Sequence, residues 1–290
     1  MPPDGPEQST PPLARAYRLI RLLVHLVYGC AVAGVVFPFI DGHRQLRLIK
    51  RWSRKVLAIL GIRLHVKGRP PSGRQPTVIV ANHVSWLDIW VIHAVSPVRF
   101  VAKSDIRRWP VIGWLVARSG TIFIERSKRH DTARTNRMIV DTLTRGERVG
   151  IFPEGTTTDG THLRAFHASL FQPALGAGAR VATAGIRYPL RDGSANLDAA
   201  YAGDRTLVES LRLILSHRRM RVELTFAGEI EISGKTRREI ARECEQLIAR
   251  ALHLPAPGRR SGTASDPPAA AQSGAGPTDS PYPERTGSAR

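Results

Sequence analysis

Seven short runs rich in apolar and β-branched residues, at 63–66, 77–81, 98–102, 121–124, 149–152, 181–186 and 221–227, recur along the chain with helix-length stretches between most of them. Runs of this length, bounded by turn residues, read as strands of a sheet covered on its faces. The stretches 131–145, 204–217 and 235–252 are long enough for amphipathic helices. This alternation predicts an α/β fold with a mainly parallel or mixed sheet flanked by helices. Residues 56–254 amount to one domain of ordinary size. Residues 1–14 and 255–290 are rich in Pro, Gly, Ser and Ala and poor in bulky apolar side chains, so both are expected to be disordered tails.

Between the first tail and the domain, residues 15–55 read as a membrane-associated helical segment. Residues 22–40 carry no formal charge and approach the ~20 apolar residues needed to cross a hydrocarbon core. His25, Gly29, Gly34 and Pro38 weaken the run, so it either spans once or lies in the interface as a monotopic anchor. Arg44, Arg47, Lys50, Arg51, Arg54 and Lys55 follow with no acid among them beyond Asp41. Positive residues beside a membrane segment belong in the cytoplasm, which puts the rest of the chain on the cytoplasmic face of the inner membrane. No small-residue cleavage site precedes this basic stretch, which argues against a removed signal peptide.

The formal net charge of +19 also favours an anionic surface. The local cluster is the better argument, at up to ~1 kcal/mol for each basic residue near an anionic bilayer. Nucleic acid is not an expected partner, since aromatics are only 6% and no binding module is recognisable. Two cysteines give no disulfide framework and agree with a reducing compartment.

The second apolar run ends in Asn82-His83-Val84-Ser85-Trp86-Leu87-Asp88 and continues into a helix-length segment. Ser85 with Asp88 three residues later resembles a capping box. Residues five apart within a helix diverge by about 140°, but a histidine upstream of the cap can fold back over the first turn toward Asp88. A carboxylate on one imidazole nitrogen fixes the tautomer that leaves the other free to take a proton. Such a base is typically worth ~10²–10⁴ in rate. The spacing alone is weak, because His and Asp five apart recur by chance.

Four further blocks follow in order: Lys103 to Trp114, Gly120 to Arg126, Phe152-Pro153-Glu154-Gly155-Thr156, and Val181 to Tyr188. Together with the His/Asp element they resemble the glycerolipid acyltransferases, in particular the 1-acyl-sn-glycerol-3-phosphate acyltransferases, over about residues 56–228. The resemblance implies that residues 56–254 are an acyltransferase domain. It would move a fatty acyl group from a thioester on acyl carrier protein or coenzyme A to the hydroxyl of a lysolipid. His83 would match the general base and Asp88 its orienting partner. Lys103 matches a lysine near the acceptor phosphate. Arg126, at the end of a strand, offers a planar fork suited to phosphate oxygens. Around Glu154, Gly155 and Thr156, glycine allows close backbone approach and amides can form an anion-holding concavity. No cofactor is implied beyond the thioester co-substrate, and oligomeric state is left open.

The chain departs from that pattern after the Glu-Gly-Thr turn. Thr157 and Thr158 stand where glycerol-phosphate enzymes usually carry a basic residue, and Phe166-His167-Ala168-Ser169 replaces a lysine-glycine pattern. The first expectation for the acceptor is 1-acyl-sn-glycerol-3-phosphate, giving phosphatidic acid. The alternative is lyso-ornithine lipid. A lipid hydrolase using the same histidine and a non-catalytic lipid-binding module are rivals of other classes. No G-x-S-x-G elbow is present and neither Cys30 nor Cys244 lies near a basic motif, which favours direct transfer over an acyl-enzyme. Backbone amides at the helix start after His83 are expected to stabilise the oxyanion. Two decoys are set aside. Gly228 to Thr236 has five residues rather than four between its glycines and alternates like a strand, unlike a nucleotide phosphate loop. His162 and His167 lack a third ligand at zinc-like spacing, so no metal is expected.

Overall fold

The computed structural model describes residues 9–73, 75–124 and 129–257, except for the side chains of 129–132. Its strands are β1 (Ile62–Lys67), β2 (Thr77–Ala81), β3 (Arg99–Lys103), β4 (Ile122–Ile124), β5 (Arg148–Ile151), β6 (Arg180–Arg187) and β7 (Met220–Ile230). They form one sheet in the order β1-β7-β6-β2-β5-β3-β4. Every neighbouring pair is parallel except β6 with β7. The helices are α1 (Pro12–Ala31), α2 (Gly42–Leu60), α3 (Leu87–Val95), α4 (Ile112–Arg118), α5 (Arg129–Thr144), α6 (Gln172–Gly176), α7 (Leu207–Ser216) and α8 (Arg237–Leu252).

The uninterrupted apolar character of β2 follows from its central place in this sheet. Its alternate side chains enter two different cores. Ile79 and Ala81 join Leu57 and Leu60 of α2, Leu87 and Val91 of α3 and Ile214 of α7 on one face. Val78 and Val80 join Ile139 and Leu143 of α5, Ala174 of α6 and Ile240 and Ile248 of α8 on the other. Past the buried Thr77 at its start this strand is wholly apolar, and the next polar side chains, Asn82 and His83, follow its carboxyl end.

The expected strands all form, with ends displaced by at most three residues and those of β2 not at all. β7 runs on to Ile230, and Thr236 caps α8 with Glu239 in a reciprocal capping box, so the glycine-flanked decoy is strand followed by helix cap. The expected tail at 1–14 gives way to order before its end. The Thr10 amide donates to Ser216 O at 2.8 Å, and α1 opens at Pro12, a residue suited to the first helical turn. Residues 1–8 and 258–290, which hold the rest of the two expected tails, lie outside the described residues.

Helical backbone continues from Pro12 through a π turn and a short 3₁₀ turn to Phe39, and this stretch is long and apolar enough to cross a membrane. Leu13, Tyr17, Ile20, Val24 and Val27 recur four and three residues apart and are exposed, forming an apolar stripe on the outer side of the helix. The opposite side of α1 is fastened to the domain. Arg18 donates to His217 O at 2.9 Å and to Arg218 O at 2.7 Å. Trp52 Nε1 donates to His25 O at 3.0 Å, and the His25 ring meets Trp52 O at 3.1 Å. Asp41 then accepts from the Arg44 amide to start α2, which Gly61 ends at a left-handed φ of 76°.

Candidate active site

In an open parallel sheet, ligand sites lie beyond the carboxyl ends of the strands. Here the ends of the adjacent strands β6, β2 and β5 carry Tyr188, His83 and Glu154. Asn82 ties two of these ends together. Its side-chain nitrogen donates to Ile186 O at 2.9 Å while its oxygen accepts from Ile186 N at 2.7 Å.

His83 and Asp88 meet as expected. The His83 Nδ1–H donates to Asp88 Oδ2 across 2.9 Å, which leaves Nε2 on a ring that is 19% exposed and has no other hydrogen bond among the described residues. Asp88 is fully buried and belongs to the first turn of α3. Its Oδ2 also accepts from Val84 N at 2.7 Å and Ser85 N at 2.9 Å, and its Oδ1 accepts from Tyr188 Oη at 2.6 Å. Four donors around a carboxylate with no access to water satisfy both oxygens and fix the rotamer. Burial, followed by the Asp88 charge, holds the Tyr188 hydroxyl well above its ordinary range, so it stays a donor. The ring of His83 stacks on Phe152 at 4.0 Å between centroids, and Phe152 stacks on Phe100 at 5.3 Å.

The helix start differs from the expected capping box. Ser85 Oγ meets the Leu87 amide at 3.4 Å, and the residue preceding α3 is Trp86. Of the helix-start amides expected to stabilise the oxyanion, those of Val84 and Ser85 are committed to Asp88 Oδ2 and that of Asp88 to Ser85 O. Those amides position the carboxylate.

Glu154 lies beside this pair with 2% exposure. Its Oε1 accepts from His83 N at 2.7 Å and its Oε2 from Arg164 N at 2.9 Å. Burial pushes its carboxyl up to about 7, against those two hydrogen bonds, with the Asp88 charge adding to the rise. Gly155 takes φ of 74° and its amide donates to Phe152 O at 3.1 Å, closing the turn that aims Glu154 inward and leaves Thr156 exposed. Thr157 and Thr158 turn into the protein. Thr157 donates its hydroxyl to Tyr201 O, and the Thr158 amide donates to His83 O at 2.9 Å.

The remaining expected site residues are less well joined to this cluster. Lys103 is exposed at the end of β3, on the same edge of the sheet but two strands from β2, or about 10 Å at ordinary strand spacing. Arg126 lies outside the described residues. Tyr188 and Phe152 were present in the quoted blocks, but their contacts with Asp88 and His83 join residues 100 and 69 positions apart. No local pattern encodes such contacts, and the only signal was that each aromatic ends a strand predicted to lie in the sheet.

The raised carboxyl has a measurable consequence. An unfolded glutamate ionises near 4.5 and the folded Glu154 near 7, so between these values the native state retains a proton that the unfolded state has released. Stability contributed by this group therefore falls as pH rises through that window, by up to ~1.4 kcal/mol per pH unit. Buried His93, pushed down to about 3 by burial and then by Arg99, gives the opposite slope below 6.5. The informative quantity is thus the difference between wild type and Glu154→Gln in urea unfolding. The wild type is expected to lose ground to the variant from pH 4.5 to 7, and a pH-independent difference would remove the assignment.

Comparison with known proteins agrees with this geometry. A family model described as Acyltransferase matches residues 63–187. The chain is 39% identical over 206 residues to the lyso-ornithine lipid O-acyltransferase of Pseudomonas aeruginosa, covering 71% of this chain and 78% of that protein. It is 39% identical over 216 residues to the 1-acyl-sn-glycerol-3-phosphate acyltransferase of Neisseria meningitidis, covering 73% and 82%. The crystal structure of the 1-acyl-sn-glycerophosphate acyltransferase from Thermotoga maritima shares the fold at TM-score 0.63 and 17% identity, covering 83% of this chain and 95% of that one. With most of the length of its relatives matched, the chain belongs to the lysolipid acyltransferase family, whose members are O-acyltransferases that pass an acyl group to a lysolipid.

Proposed function

We propose that this enzyme acylates the hydroxyl of lyso-ornithine lipid, drawing the acyl group from a thioester of acyl carrier protein or coenzyme A. His83 Nε2 takes the proton of the lipid hydroxyl as its oxygen attacks the thioester carbonyl. Asp88, holding Nδ1–H, keeps that tautomer and stabilises the imidazolium that forms. Collapse of the tetrahedral oxyanion breaks the carbon–sulfur bond, and His83 returns its proton to the departing thiolate. The reaction needs no protein nucleophile and no metal.

The observation that carries the choice of acceptor is the pair Thr157-Thr158. At the position where the resemblance implies a basic residue in glycerol-phosphate enzymes, this chain has two neutral hydroxyl residues whose polar groups are taken up by Tyr201 and His83 backbone oxygens. The match to a lyso-ornithine lipid enzyme over 78% of its length supports the same reading. It replaces 1-acyl-sn-glycerol-3-phosphate as the first expectation. Glu154, Gly155 and Thr156 then serve to hold the His83 loop and border the acceptor, and Lys103 supplies positive charge along the same edge. The apolar stripe of α1 and the basic residues of α2 support attachment to the cytoplasmic face of the inner membrane, with α1 lying along the domain.

The test supplies purified enzyme with a labelled acyl thioester and either lyso-ornithine lipid or lysophosphatidic acid. A higher kcat/KM for lyso-ornithine lipid is expected. Preference for lysophosphatidic acid overturns the acceptor assignment, and release of free fatty acid without any acceptor product overturns transfer itself.

A further inference from the structure

Beyond the N-terminal helix, Val66, Met138, Leu197 and Val208 are exposed in separate elements, whereas three exposed large apolar side chains gather in one stretch. The segment between β3 and β4 presents Trp109, Val111 and Trp114 with exposures of 40%, 54% and 42%. A β-branched residue at positive φ is a backbone outlier, and Val111 sits at φ 61° and ψ −54°. These angles, with the Ile112 amide donating to Pro110 O, describe the rarer, strained form of γ-turn. The turn carries an aliphatic side chain at its outward tip. Arg107 and Arg108 precede it and Arg118 follows, all exposed, with Asp105 as the one acid between residues 104 and 118. Arg118 stands 5.5 Å over the ring of Trp114.

This patch continues the apolar surface of the N-terminal segment. A Cβ placed at Gly34 would lie 3.5 Å from the Trp114 ring, so the ring lies beside this glycine. Leu115 packs with Ala33, Phe37, Leu46 and Ile49 in a small core of their own. Val35 and Phe39, on the same helical stretch, are exposed. An apolar surface of this kind, rimmed by arginine and carrying tryptophan, has the composition of the layer between bilayer headgroups and acyl chains.

We propose that the 104–118 segment is a second membrane contact, inserting Trp109, Val111 and Trp114 into the interface of an anionic bilayer beside the N-terminal helix. The proposal rests on the membrane attachment of that helix and is independent of which lysolipid is acylated. Its consequence for function is positional. The segment leaves the carboxyl end of β3, the edge of the sheet that carries His83 and Glu154. Anchoring on both sides would hold that edge at the depth where a lysolipid hydroxyl resides.

The test uses the full chain and vesicles of phosphatidylcholine with 30% phosphatidylglycerol, and it needs no substrate. An environment-sensitive fluorophore is attached at Val111→Cys in a Cys30→Ser background, with Asp192→Cys, on an exposed turn, as the control. Vesicles are expected to shift the emission at position 111 to the blue and to leave the control unchanged. Trp109→Ser with Val111→Ser should weaken vesicle partitioning about tenfold through lost apolar area, with an unchanged thermal midpoint because both side chains are exposed. A chain that binds vesicles with position 111 left in water overturns the second contact alone. A chain that ignores vesicles altogether overturns the attachment beneath it, and neither result bears on acyl transfer measured with detergent-dispersed acceptor.

Discussion

His83→Ala is expected to lower kcat for acyl transfer by ~10²–10⁴, or about 3–5 kcal/mol of transition-state stabilisation, while leaving the protein folded. The fold should survive because the structural duties of residue 83 belong to its backbone. Its amide donates to Glu154 and its carbonyl accepts from Thr158, and alanine keeps both. Asp88 loses one of four donors and retains the Val84 and Ser85 amides and the Tyr188 hydroxyl. What disappears is the proton acceptor. The acceptor lipid touches many other groups, so its KM should change far less than kcat. Steady-state kinetics with a thermal midpoint as control makes the measurement. A variant turning over within a few-fold of wild type would mean that another group deprotonates the lipid, and the proposed mechanism would fail.

The sheet was legible because its strands are covered on both faces. Val78 to Ala81 could be recognised as a strand without knowing its neighbours, since each side chain enters one core or the other. The parallel pairing and the flanking helices followed from the alternation. The antiparallel return of β7 beside β6 did not, because strand direction is set by the path of the intervening chain and leaves no mark on either strand's composition. The His83–Asp88 pair was readable for the same local reason: both partners lie within one strand-to-helix junction. Glu154 was visible as a residue but not as the acceptor for the His83 amide, and Tyr188 carried no sign of reaching Asp88. Those contacts depend on β6, β2 and β5 ending side by side. The expectation for the oxyanion is narrowed by competition. Amides at a helix start are good donors to any anion, and here the first anion they meet is the carboxylate of Asp88 itself.

That competition makes Asp88→Asn the most informative substitution. Among the described residues, three N–H donors converge on Oδ2 and only the Tyr188 hydroxyl meets Oδ1. An asparagine can put its carbonyl oxygen where Oδ2 was and turn its amide toward Tyr188, whose hydroxyl then accepts where it had donated. The loop geometry and the His83 tautomer would persist, and only the negative charge would be lost. That charge matters at one moment, when His83 holds the lipid proton as an imidazolium beside a site shielded from water, where a neighbouring charge is worth several kcal/mol. Asp88→Asn is therefore expected to lower kcat by ~10²–10⁴ with KM for the acceptor nearly unchanged and little loss of stability. Asp88→Ala removes the acceptor from all four donors at a fully buried position. At ~1–3 kcal/mol for each stranded group, it should unfold at a much lower urea concentration or fail to accumulate as folded protein. If asparagine retains near-normal turnover, Asp88 is a cap for α3 and for the His83 loop, and the imidazolium finds its compensation elsewhere. If asparagine unfolds the protein as alanine does, the charge itself holds the loop, and the separation between positioning and electrostatic support drawn here is wrong.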